Sequence, residues 1–116
     1  MENEGKVVLD VVTINKEIYE SGKRLLKGSE SLFSLAKKMA ETEQAYRKAL
    51  SLEIIKLREE RIQATLIPDI ARGNTSELKF ERDLAEARYK SARDSLEAIQ
   101  AQMNGLQTIN KYLENI

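Results

Sequence analysis

A seven-residue spacing in the C-terminal third constrains this chain more than any other feature. Leu78, Ala85, Ala92, Ile99, Leu106 and Leu113 recur every seven residues, and Arg82, Tyr89, Leu96, Met103 and Asn110 fall between them at steps of three and four. Two such rows sustained over about five heptads form the a/d seam of a coiled coil. A period of 3.5 predicts left-handed supercoiling against another helix. These eleven residues are the expected oligomer seam. Small Ala85 and Ala92 allow close approach of a partner helix, and the end from Leu96 to Leu113 is bulkier. Two members are polar. A seam arginine needs a partner, and Glu43, Glu53 or Asp83 could pair with Arg82. Asn110 either fixes register, as an a-position Asn does, or lies solvated at a frayed end.

The single proline, Pro68, and the Gly73-Asn74 pair that follows mark a break. They divide the chain into a first long helix over 29–66, a turn over 67–77 and a second long helix over 78–115. Ser29 is the expected N-cap of the first helix. Leu32, Leu35, Met39, Tyr46, Leu50, Ile54 and Leu57 share one face of it, with a spacing near 3.6 rather than a strict heptad. Asn74-Thr-Ser-Glu77 offers a capping box for the second helix. Helices of about 37 residues would each run about 55 Å, and a short break lets them fold back on one another.

Residues 1–28 read as an arm or short helix, with Gly22 and Gly28 interrupting or ending it. Lys6–Ile14 is rich in β-branched residues and suits a strand, but no second strand signal accompanies it. It could pair with a copy of itself, pack as an extended arm or form a helical turn. Asn15–Lys27 then forms a short helix with Ile18, Leu25 and Leu26 inward. The expected fold is all-α: one domain over 1–116, a long antiparallel helical hairpin resembling a coiled coil, with a short N-terminal element. A hairpin core is one layer thick, so a third element or a second subunit is needed to complete it. The seam favours an oligomer, a dimer or larger.

Composition narrows function by exclusion. The chain has no Cys and no His, which removes thiol and imidazole chemistry and most transition-metal sites. Its 19 basic and 19 acidic side chains balance, and no segment carries a charged tail. No stretch approaches a membrane span, and the acidic start Met1-Glu-Asn-Glu4 is unlike a secretory signal. No phosphate-binding loop, EF-hand or nucleophile elbow is present. The expectation is a protein with no enzymatic activity, cofactor, catalytic residue or metal site.

Three groups remain as candidate contacts. Ile67, Asp69, Ile70 and Arg72 form a possible recognition tip, although Pro68, Asp69, Arg72 and Gly73 also each have a role in a plain turn, Gly73 taking a left-handed conformation. The apolar run Val7–Ile14 is a second candidate surface. Arg47, Lys48, Lys56, Arg58 and Arg61 could form a basic stripe for nucleic acid. Glu53, Glu59 and Glu60 interleave with them and only Tyr46 offers a stacking ring, so a solvated mixed face is the better reading and nucleic acid is not the expected partner.

Between Ala45 and Ala98 stand Tyr46-Arg47 with Ala49-Leu50, Ile55-x-Leu57-Arg58-Glu59, Ala64-Thr-Leu-Ile-Pro-Asp-Ile-Ala-Arg-Gly73, and Arg82-Asp83-x-Ala85-Glu86-x-x-Tyr89. In these residues the chain resembles a family of small helical proteins carried by phages and prophages of Gram-positive bacteria. The Asp-x-x-Arg-Gly core is the most specific part. Glu60-Arg61 stands where that pattern has Glu-Gly. The resemblance implies a phage origin, the cytoplasm of the infected bacterium, and an early-region neighbourhood of replication and recombination functions. It supplies no catalytic residues. The expected function is that of a helical adaptor or modulator binding a host or phage protein, in replication, recombination or host defence. A nucleic-acid-binding accessory and a self-assembling scaffold or assembly chaperone are the alternatives.

Overall fold

The computed structural model describes residues 10–115. They form three helices, α1 (Val11–Glu59), α2 (Ile67–Asn74) and α3 (Ser76–Glu114), with no strand among the described residues. Val7–Leu9 of the candidate contact run lies outside them. Val11–Ile14 opens α1, so that part is helical rather than extended.

α1 starts where Asp10 Oδ1 accepts the Thr13 backbone N–H at 2.7 Å, an N-cap that satisfies one of the orphan donors of the first turn. The helix then runs 49 residues without interruption. The expected boundary at residue 28 is not there. Ser29 does not cap a helix; its hydroxyl donates to the Leu25 carbonyl at 2.8 Å, inside α1. The glycines do not end the helix either. A helical Gly costs about 1 kcal/mol relative to Ala, which packing along the helix outweighs.

α1 ends seven residues earlier than expected, at Glu59. Ile62 N–H donates to the Leu57 carbonyl at 3.1 Å and Arg61 N–H to the Arg58 carbonyl at 3.0 Å. This is a Schellman ending, completed by packing of Ile62 against the buried cluster that holds Leu57. Its left-handed residue is Arg61, at φ 60°. The connection is therefore 60–66, and the expected turn at 67–77 is mostly the helix α2. Pro68 sits in the first turn of α2, where its missing N–H is no loss. Gly73 is helical rather than left-handed. Thr75 alone separates α2 from α3, its hydroxyl donating to the Ala71 carbonyl at 2.8 Å.

The described residues group into two compact units. One comprises residues up to Ser31 with those from Ala92 onward; the other is Leu32–Ser91. In the first, α1 and α3 run antiparallel. Asn110 Nδ2 donates to Asn15 Oδ1 at 3.0 Å, and Gly28 lies against the Leu96 side chain. Among its described residues the one buried apolar side chain is Ile14, with Ser21 buried beside the same seam. Leu26, expected inward, is 67% exposed, while Ile18 and Leu25 are partly covered.

In the second unit, Leu57, Ile67 and Ala71 are buried together, with Leu50, Ile54 and Ile62 packed around them. Ile67 and Ala71 lie one turn apart, so α2 turns one face onto the end of α1. Ala85 and Tyr46 are also buried here. All eleven seam residues of α3 are buried or partly covered, and nearly every other residue of α3 is exposed. The helix facing that seam within each unit is α1 of the same chain.

Candidate functional site

Within the Leu32–Ser91 unit, the α1–α2 corner carries an open apolar surface. The Schellman ending of α1 and the Pro68 start of α2 leave a groove of about 270 Å³ lined by Ile54, Arg58, Ile62, Ala64, Ile67 and Pro68. Five of those six side chains are apolar and Arg58 is the one cation. The groove thus offers apolar contact and one positive charge, with no acid, base or nucleophile for a reaction. Leu66, 50% exposed, and Ile70, 36% exposed, add uncovered apolar surface on the segment that forms it.

The four expected tip residues divide. Ile67 is largely buried in the cluster, with only an edge of it on the floor of the groove. Ile70 reaches solvent. Asp69 and Arg72 are both exposed and 3.4 Å apart, an i,i+3 pair on the open face of α2. Such a pair contributes little to stability. Asp69 also lies in the first turn and Arg72 in the last, where each suits the helix dipole.

Arg82 reaches across to α1. Asp83 Oδ1 accepts from its Nη2 at 2.9 Å, and Glu43 Oε2 lies 3.6 Å from its Nε. Its guanidinium carbon stands 4.7 Å from the centre of the Tyr46 ring, a cation–π contact. Hydrogen bonding to Asp83 holds the Arg82 guanidinium above its ordinary pKa, against the opposing effect of desolvation. Lys79 takes the other Asp83 oxygen at 2.9 Å. Hydrogen bonds from Lys79 first, and then from Arg82, push the Asp83 carboxyl below the ordinary value. Glu53, the third possible partner of Arg82, instead accepts from Asn74 Nδ2 at 2.8 Å, tying the end of α2 to α1. Asn74 therefore closes the corner rather than capping α3.

The basic side chains are not brought onto one face. At 100° per residue, Arg47 and Arg58 lie on similar sides of α1, while Lys48 is about a quarter turn away and Lys56 about half a turn. Arg47 is held by Glu43 at 2.6 Å, and Arg61 lies beyond the helix in the connection. Among the described residues no cluster of acidic side chains could hold a metal ion, and no helix is long and apolar enough to cross a membrane.

Sequence reasoning missed Ile62, Ala64 and the Ile54–Arg58 wall as parts of one surface. The signal was present in the Leu57–Ile62 spacing, which fits the C3 and C″ positions of a Schellman ending. No family model, no curated protein and no solved structure matches the chain.

Proposed function

We propose that this chain is a non-enzymatic helical adaptor that binds another protein through its α1–α2 corner. The observation that carries this reading is the apolar groove over Ile54, Ile62 and Ile67, flanked by uncovered Leu66 and Ile70. An apolar centre with a charged rim, here Arg58, Asp69 and Arg72, is the composition of a protein-binding surface. A phage origin, the cytoplasm of the infected bacterium and a target in replication, recombination or host defence rest on the resemblance over Ala45–Ala98. Self-association belongs to the same reading, because each antiparallel helix pair buries little.

Affinity capture from bacterial lysate on the tagged chain, with and without nuclease, tests the reading. A defined protein retained after nuclease supports it. Capture lost on nuclease treatment favours a nucleic-acid accessory, whose binding would fall steeply with salt.

A further inference from the structure

Phe80 is 67% exposed on the side of α3 turned away from α1, about 200° around the helix from the seam residue Leu78. Leu84, one turn on, is 39% exposed. Ser76, Glu77 and Glu81 line the surface around the Phe80 ring. The other charges beside it, Lys79 and Asp83, pair with each other at 2.9 Å, and Arg88 lies one turn beyond Leu84. Among the described residues no cation pairs with Glu77 or Glu81. The patch is therefore an uncovered aromatic ring between two carboxylates.

The groove at the α1–α2 corner has the opposite character. Its lining is apolar apart from Arg58 and holds no carboxylate. Among the described residues no carboxylate pairs with Arg58. Glu59, Glu60 and Arg61 follow in the chain, but none of them lines the groove. Both surfaces belong to the Leu32–Ser91 unit. We infer that the occupant of the groove is a second copy of this chain, whose Phe80 seats against Ile54, Ile62 and Ile67 while its Glu77 or Glu81 meets Arg58. This inference rests on the reading of the corner as a protein-binding surface and names one partner for it.

Charge complementarity selects the second copy. The groove offers a cation and lacks an acid, and the Phe80 surface offers two acids and lacks a free cation in its lining. An aromatic anchor in an apolar pocket, beside an arginine that gains a carboxylate, is the usual centre of a protein contact. The zero formal net charge adds no long-range repulsion between copies. The contact is small, below about 1,200 Å², so it ranks with weak interfaces and its dissociation constant is on the order of 100 μM. It joins one patch to a different patch, so repeated contacts build rings or open chains.

Sedimentation of the full chain from about 10 to about 500 μM, a range that brackets that constant, tests it. The average mass of the wild type should rise with concentration from 13.2 kDa to twice that value and above. Arg58→Glu alone and Phe80→Lys alone should each weaken association by about tenfold or more, with helix content unchanged by circular dichroism. Ala64→Asp, in the connection outside both helices, is a second groove variant and should act as Arg58→Glu does. An equal mixture of the Arg58→Glu and Phe80→Lys chains retains one intact ring and one intact groove. It should form a species of twice 13.2 kDa and nothing larger. A mixture as monomeric as its separate components would overturn the pairing of Phe80 with the groove. Association indifferent to all three substitutions would overturn it as well. A wild type still monomeric at about 500 μM would overturn the second copy as occupant, and capture from lysate through the corner would then show that the corner itself still binds protein.

Discussion

Gly28 of α1 is the hole into which Leu96 of α3 fits. A Cβ placed on Gly28 would collide with the end of the Leu96 side chain, while Gly22, Gly73 and Gly105 have open space at that position. The glycine that most resembles a helix breaker is thus the one the helix pair needs. Its loss of helix propensity is offset by the approach of a seam leucine at the bulky end of α3.

Substitution at two glycines should therefore have opposite signs. Gly105→Ala meets nothing and should stabilise by about 0.5–1 kcal/mol through propensity alone. Gly28→Ala gains the same propensity but overpacks Leu96, at a cost of about 1–3 kcal/mol, for a net loss of about 1 kcal/mol. Adding Leu96→Ala to Gly28→Ala should show a favourable coupling in a double-mutant cycle. Urea denaturation measures all four.

Arg61 holds a left-handed conformation that favours glycine. Arg61→Gly should raise stability by about 0.5–1 kcal/mol, because it relieves the Cβ clash at the C′ position of the Schellman ending. Thermal melts followed by circular dichroism would show it.

Asn110 donates to Asn15 and to Glu114 Oε1 at 3.3 Å, while its own buried Oδ1 has no partner. Replacing it with an apolar residue removes that orphan acceptor at the expense of one interhelical bond. Asn110→Leu should stabilise by about 1 kcal/mol and loosen register between α1 and α3. A stabilised variant with broadened amide resonances near Asn15 is the expected NMR outcome.

Acid should weaken the fold through named carboxylates. Lys79 and Arg82 hold Asp83 below the ordinary 3.8, and Lys90 holds Glu86 below the ordinary 4.5. A carboxylate depressed by folding adds stability above its unfolded value and loses it as pH falls through the folded one. Stability should be level above about pH 5 and decline once pH drops past those ordinary values. Asp83→Asn should flatten the acid limb, as measured by denaturation at a series of pH values.

The α3 rows were legible because leucine, isoleucine and methionine fill most of them. The matching rows of α1 were not. Ile14, Ser21, Gly28, Leu35, Thr42 and Ala49 also recur every seven residues and are covered or partly covered. Three of those six are polar or lack a side chain, so counting apolar residues from Ser29 onward found a looser face and a break at Gly28. Gly28 gains its role from Leu96, which sequence spacing does not connect to it. Pro68 and Gly73 each suit a turn, yet Pro also suits the first turn of a helix, and burial of Ile67 and Ala71 against Leu57 settles α2 as helical. The break was expected over 67–77 and lies at 60–66, and the outward and inward residues of the corner were not separable before that packing was known.

The corner is most directly tested by using two baits of equal helicity in nuclease-treated lysate, the wild type and the Leu66→Asp/Ile70→Lys double variant. Leu66 occupies the N-cap position of α2, where Asp is well tolerated, and Ile70 faces solvent, so the variant should keep the fold. The expected result is one defined protein on the wild-type bait and its loss from the variant. Equal recovery on both baits would contradict binding through the α1–α2 corner.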